Sequence, residues 1–163
     1  MDGKGKPHTI AEVTLDEANL IYPRPEVEHE RAVAIYDLIE DNTFRPLEWD
    51  DPGPYALHLS VADNRLVLDL RHQGDCKGEP WRIVMPLRPL RSLIRDYFVV
   101  CESYFDAIKT ASPSRIEAID MGRRGLHNEG SELLRDRLAD KADIDMQTAR
   151  RLFTLLCVLH VRK

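Results

Sequence analysis

Two alternating apolar stretches within residues 55–71 constrain the fold of this chain more than any other feature. Every second position is apolar, first at Leu57, Leu59 and Val61 and then at Leu66, Leu68 and Leu70. A period of two is typical of strands buried on one face. Asp63 and Asn64 separate the stretches, and both residue types tolerate the positive φ that a two-residue hairpin turn needs. The pattern therefore predicts an antiparallel hairpin with all six apolar side chains on one face.

The other face of this hairpin is polar. In the register set by the turn, His58 lies opposite Asp69, with Ser60 and Arg71 nearby. One apolar and one polar face are typical of an antiparallel sheet that is covered on one side only.

The flanking segments extend this pattern. Residues 9–15 alternate, with Ala11, Val13 and Leu15 on one side, and residues 81–87 predict a further strand. A helix is expected over residues 25–41, because a proline suits a first turn and Glu26, Glu28 and Glu30 favour its positive end. Its buried stripe is predicted to contain five residues: Val27, Ala34, Ile35, Leu38 and Ile39.

The chain reads as helical after residue 89. Apolar residues at three-four spacing predict one long core helix to about residue 108. Ser114 with Glu117 matches a capping box for the next helix. That helix either breaks near Gly125, with Asn128 capping a further helix to about residue 141, or runs on with glycines at close contacts; the break is favoured. Asp145 is predicted to cap the last helix, whose stripe is Ala149, Leu152, Phe153, Leu156 and Leu159 or His160.

This order of elements predicts an α+β fold: a small, mainly antiparallel sheet of about four strands covered on one face by helices, with a helical C-terminal half. A helix-only bundle is the weaker alternative. The 163 residues suit a single domain. Within it, residues 1–8 are expected to be a frayed tail, 9–87 the strand, helix and hairpin part, and 88–163 the helical part.

The net charge of −5 conceals a gradient along the chain. Residues 1–50 hold 5 Lys/Arg against 12 Asp/Glu, whereas residues 112–163 hold 10 against 8. No stretch approaches the roughly 20 apolar residues of a membrane helix. Three cysteines make a poor disulfide framework, so a reducing compartment and a cytoplasmic location are expected.

The densest polar cluster lies in residues 123–130. Arg123 and Arg124 could hold a phosphate or carboxylate, while His127 and Glu129 could exchange protons with it. A plain helix junction with ordinary surface charges is the favoured interpretation.

A second pair, Arg150 and Arg151, adjoins the apolar stripe of the last helix. These side chains would join Arg123 and Arg124 in one basic pocket if the last two helices pack antiparallel. Pairing with Asp136, Asp140 or acidic residues of the first half is the favoured alternative.

The sequence contains no strong pattern of metal ligands, of cofactor-binding residues or of a catalytic nucleophile. His58, His72 and Cys76 lack the paired spacing of a zinc site, so no metal and no cofactor are predicted. Cys76 lies on a glycine-flanked loop beside Lys77, but no histidine is convincingly placed to act as its base. Cys101 and Cys157 fall on apolar stripes and are predicted to be core residues.

Three segments carry a resemblance to a known family. Residues 120–134 (DMGRRGLHNEGSELL), 145–160 (DMQTARRLFTLLCVLH) and 21–31 (IYPRPEVEHER) are similar to stretches of uncharacterised protein family 0262, a small bacterial family. The resemblance covers nearly the whole chain. It implies a stand-alone bacterial cytoplasmic domain, and it brings no assigned activity, cofactor or catalytic residue.

The leading hypothesis is a non-enzymatic interaction or regulatory protein that binds a protein partner or a small anion through its C-terminal arginine-rich helices. The alternative is an enzyme acting on a phosphorylated or carboxylated metabolite, with His127 and Glu129 as proton-transfer groups. Nucleic acid is a minor hypothesis, because the chain is net acidic and no aromatic row accompanies the arginines. The sequence predicts no oligomeric state.

Overall fold

The computed structural model describes residues 6–17, 24–75 and 77–160. Within them lie six strands and four α-helices, with a short 3-10 turn before the second helix. In chain order they are β1 (Ile10–Leu15), α1 (Pro25–Glu40), β2 (Phe44–Pro46), β3 (Tyr55–Ala62), β4 (Arg65–His72), β5 (Trp81–Pro86), α2 (Arg91–Thr110), α3 (Pro113–Leu138), β6 (Ala142–Ile144) and α4 (Met146–His160).

The predicted hairpin is confirmed. Strands β3 and β4 are antiparallel, with Leu57 opposite Leu70 and Leu59 opposite Leu68. The turn residues Asp63 and Asn64 have φ angles of 53° and 63°, as a tight hairpin turn requires. The apolar face is buried, because α4 contacts β3 and α1 contacts β1 on the sheet.

The main sheet has the strand order β1-β3-β4-β5. Strand β1 runs parallel to β3, whereas β3, β4 and β5 are antiparallel to one another. The α+β class, the four-strand sheet and the helical C-terminal half are therefore as predicted, and the helix-only bundle is wrong.

On the polar face of the sheet, the predicted register of His58 opposite Asp69 is confirmed. Their side chains nevertheless bond to other strands. His58 Nδ1 lies 2.7 Å from Thr14 Oγ1, and Asp69 forms an ion pair with Arg82 at 2.6 Å. The polar groups thus link β1 to β3 and β4 to β5.

The predicted alternation in β1 is retained, because Ala11 and Val13 are half-buried and Leu15 is buried, whereas Glu12 and Thr14 are exposed. A bulge between Ile10 and Glu12 adds Ile10 to the buried residues, where it pairs with Tyr55. One predicted apolar position is corrected. In α1, Ile39 is 40% exposed because it lies at the edge of the stripe centred on Leu38. The remaining stripe residues of α1 are buried or half-buried.

A second sheet of two short strands, β2 and β6, was not expected from the sequence. It pairs Phe44 with Ile144 in antiparallel register. Beside it, Asn42 is 7% exposed and bonds to three backbone groups. Its amide accepts from Ile10 N at 2.7 Å and donates to Ile10 O and Leu38 O at 2.9 and 2.6 Å. This side chain ties the end of α1 to the first strand.

The predicted break near Gly125 is wrong, because α3 is continuous over 26 residues. Glycine weakens a helix by only about 1 kcal/mol, and packing of α3 on α2 and α4 outweighs that cost. Asn128 therefore lies inside the helix and caps nothing.

The start of α3 also differs from the prediction. Its N-cap is Ser112, whose hydroxyl accepts from Arg115 N at 3.3 Å, and Ser114 lies within the first turn. At α4 the predicted cap is confirmed, since Asp145 accepts from Thr148 N at 3.0 Å.

The buried side chains form one cluster that draws on both halves of the chain. Most of it comes from the sheet and from α4, where Ala149, Leu152, Phe153 and Leu156 are buried as predicted. Cys101 and Cys157 are buried in it as well. No helix among the described residues is long and apolar enough to cross a bilayer.

Candidate functional site

A cavity of about 370 Å³ lies between α1, α3 and α4, with α2 beneath it. Helices α3 and α4 contribute the predicted cations and a histidine: Arg123, Arg124, His127, Arg150 and Arg151. We call the four arginines the arginine cluster. Helix α1 forms the facing wall with His29, Glu30, Val33, Ala34 and Asp37, and Tyr97 and Thr154 complete the lining.

The arginine cluster forms because α3 and α4 pack antiparallel. His127 on α3 contacts Thr154 on α4. Asn128, one residue later on α3, contacts Arg150, which lies about one turn before Thr154 on α4. Residues three and four apart share a helix face, so Arg123 and His127 face the cavity together, as do Arg150 and Thr154. The hypothesis that the four arginines line one basic pocket depended on this antiparallel packing.

Most of the arginine cluster is already paired. Asp120 binds Arg123 at 2.5 Å and Arg124 at 3.2 Å, and Arg151 lies 3.8 Å from Asp37. The last pair joins the C-terminal half to the acidic first half, which was the favoured expectation for these arginines. The Arg151–Asp37 ion pair and the arginine cluster are therefore both present at this site.

Arg150 differs from the other three arginines. Its guanidinium donates to the side-chain oxygen of Asn128, a neutral group. No carboxylate of the described residues forms an ion pair with it. Arg150 therefore contributes to the cavity a positive charge that is not neutralised by direct contact with a described carboxylate.

His127 is held between two hydroxyl groups. Its Nε2 lies 2.7 Å from Thr154 Oγ1, and Ser131 Oγ lies 3.4 Å from its Nδ1. Because the Thr154 hydroxyl donates to the carbonyl of Arg150, the Nε2–H of His127 donates to Thr154. Burial, with the charges of Arg150, Arg123 and Arg151, lowers the pKa of His127 to about 4. The imidazole is neutral at pH 7.

Glu129 does not reach the cavity. It is exposed on α3 and does not line the pocket. The carboxylates that do line it are Glu30 and Asp37 of α1. From the sequence, Glu30 is expected only as an acidic residue at the positive end of a helix. The helical period could have found it, since residue 30 lies between Val27 and Ala34 on the buried stripe. Burial raises the pKa of Glu30, although Arg123 and His29 act in the opposite direction.

The other sequence candidates lie elsewhere. His72 Nδ1 is 2.7 Å from Asp51 Oδ1, far along the chain from the arginine cluster, and Cys76 lies outside the described residues. Among residues 6–17, 24–75 and 77–160, no group of three or more His, Cys, Asp or Glu side chains could hold a metal ion. Buried Cys101 has its pKa raised to about 12, so it is a poor nucleophile.

Comparison with known proteins places the chain in a family. The model of the uncharacterised protein family UPF0262 matches residues 7–162. A UPF0262 protein of Azorhizobium caulinodans is 56% identical over 156 residues, 94% of each chain. Another, of Paramagnetospirillum magneticum, is 55% identical over 153 residues, covering 94% of this chain and 96% of its own.

A third relative, from Rhodospirillum rubrum, is 54% identical over 154 residues, covering 94% of this chain and 92% of its own. No solved structure matches the chain. A family match over nearly the entire length, with relatives above half identity, fixes the assignment: the chain belongs to the uncharacterised bacterial protein family UPF0262.

Proposed function

We propose that this protein is a non-enzymatic binding or regulatory protein whose cavity takes a small oxyanion, a phosphorylated or carboxylated metabolite. One observation carries the proposal: the four arginines of α3 and α4 line one cavity, and Arg150 among them has no carboxylate partner in the described part of the chain. Guanidinium groups bind phosphate and carboxylate through paired hydrogen bonds, which gives such a site its specificity.

The size of the cavity favours a small molecule over a polymer. Its volume of about 370 Å³ lies within the range typical of metabolite sites. The chain as a whole carries a net charge of −5, which opposes long-range attraction to a polyanion. A local cationic site in a net-acidic protein is better matched to one or two anionic groups.

The contacts of His127 favour binding over catalysis. Its Nε2–H is engaged by Thr154, and its lowered pKa makes it a weak base at neutral pH. Glu129, the other group of the enzyme hypothesis, lies outside the cavity. The proposed role of His127 is to fix the α3–α4 contact beneath the arginines.

The test is calorimetric titration of the purified protein with inorganic phosphate, pyrophosphate and succinate at low ionic strength. We expect at least one probe to bind, and Arg150→Gln to weaken its affinity by about tenfold or more through loss of a charge-assisted hydrogen bond. Arg137→Gln is the matched control, because Arg137 is exposed on α3 outside the cavity. Absence of binding by all three probes at millimolar concentration, or equal effects of both variants, would contradict the proposal.

A further inference from the structure

The main cavity is lined by opposite charges on its two sides. The arginine cluster occupies the α3 and α4 side, and α1 presents Glu30 and Asp37 from the facing side. We propose that the ligand is a zwitterion, with an oxyanion bound by the arginines and an ammonium group bound by the carboxylate of Glu30. This inference rests on the proposed anion-binding function and specifies the chemical class of its ligand.

Glu30 is the carboxylate of this region that lacks a partner. Asp120 is bound by two arginines and Asp37 lies 3.8 Å from Arg151. Glu30, in contrast, makes no hydrogen bond or ion pair with any residue that the structure describes, and it is half-buried. A carboxylate partly removed from water without a donor is unfavourable, and a ligand donor would remove that deficit.

The arginines of the pocket do not form an ion pair with Glu30. Arg123 is close enough to Glu30 to lower its pKa, but its guanidinium is bound by Asp120 and lies 4.6 Å from the centre of the Tyr104 ring. That double attachment holds Arg123 away from a direct ion pair with Glu30. The carboxylate remains available to a group that enters the cavity.

The surroundings of Glu30 favour a cation over a neutral donor. Glu30 also borders a second, much smaller cavity, whose walls are mainly apolar: Val27, Phe98, Phe105 and Val158. Poor solvation raises the pKa of Glu30, so its ionised form gains most from a cationic partner. The nearby wall of Val33 and Ala34 suits a short alkyl spacer between the two charged groups of the ligand.

The test compares two probes that differ in one group, O-phosphoethanolamine and monoethyl phosphate. We expect the wild-type protein to bind O-phosphoethanolamine about tenfold more tightly, because only this probe carries an ammonium group. Glu30→Gln should abolish the preference while retaining affinity for monoethyl phosphate. Glu28→Gln, at an exposed position of α1, should leave the preference intact.

A second measurement uses the unaltered protein and does not depend on the variant folding. The pKa of Glu30, followed by NMR, should fall when O-phosphoethanolamine binds and rise when monoethyl phosphate binds, because the first adds a cation beside the carboxylate. If both probes bind equally and the pKa of Glu30 moves alike with each, the zwitterion is wrong and the anion site stands. If neither probe binds although inorganic phosphate, pyrophosphate or succinate does, only the zwitterion is wrong. If none of the five probes binds, both proposals fail.

Discussion

The ring of Phe153 on α4 lies directly against the backbone of Gly130 on α3. A Cβ atom placed at Gly130 would stand 2.3 Å from Cζ of that ring. Since Phe153 is fully buried, the ring has little room to move, so Gly130→Ala must displace the ring or move the two helices apart. We expect a loss of about 1–3 kcal/mol in the free energy of unfolding, measured by urea denaturation.

Gly125→Ala is the matched control and should increase the free energy of unfolding rather than lower it. A Cβ at Gly125 would meet no atom within 4 Å, and the position is exposed. Alanine should therefore stabilise the continuous helix by about 0.5–1 kcal/mol. Destabilisation by Gly125→Ala would argue that α3 is broken at this point.

The two serines at the start of α3 should differ in their contribution to stability. Ser112 accepts from Arg115 N, so Ser112→Ala should cost about 1 kcal/mol through loss of the N-cap. Ser114→Ala should be close to neutral. Thermal or urea denaturation distinguishes the two, and a larger effect at Ser114 would restore the capping box that the sequence alone predicts.

Asn42→Ala should be among the most damaging single substitutions. It removes three hydrogen bonds to buried backbone groups of Ile10 and Leu38, and leaves those groups unsatisfied. The expected loss is about 2–4 kcal/mol in the free energy of unfolding. Asn128→Ala, at an exposed position bonded only to Arg150, should change stability far less. Equal losses would contradict the assigned role of Asn42.

His127 should make the protein less stable as the pH falls. Its pKa is about 4 in the folded state against an ordinary value of 6.5, so the unfolded chain binds the proton more readily between these values. The contribution of His127 to the free energy of unfolding is complete above pH 6.5 and is lost as the pH falls towards 4. The free energy of unfolding should therefore rise less steeply with pH in this window for His127→Gln than for wild type. An NMR midpoint above pH 6 for His127 would contradict this.

Features that depend on residues close together in the sequence were predicted more accurately than features that depend on distant residues. The hairpin was predicted to the residue because alternation and the Asp63–Asn64 turn are local signals. Strands β2 and β6 were missed, since three residues carry almost no periodicity and their partners lie far apart in the sequence. The break at Gly125 was predicted from intrinsic propensity, which tertiary packing overrides.

At the candidate site, the sequence indicates the basic residues but not the two carboxylates of α1 that face them. Arg123 and Arg150 form conspicuous pairs in the sequence, each beside a second arginine. Glu30 is one of several glutamates near the start of α1, and only the packing of α1 against α4 brings it to the cavity. Glu129 is close to His127 in the sequence, but it lies on the exposed side of α3.

The β2–β6 ribbon has a consequence for how the chain acquires its structure during synthesis. Among the described residues, the strand partner of Phe44 is Ile144, and the central helix α4 follows later still. A ribosome must therefore extrude nearly all of the described chain before the early segments can close their core. Until α4 is made, the apolar surfaces of α1 and β3 that pack against it stay uncovered, and exposed apolar surface favours aggregation of an incomplete chain.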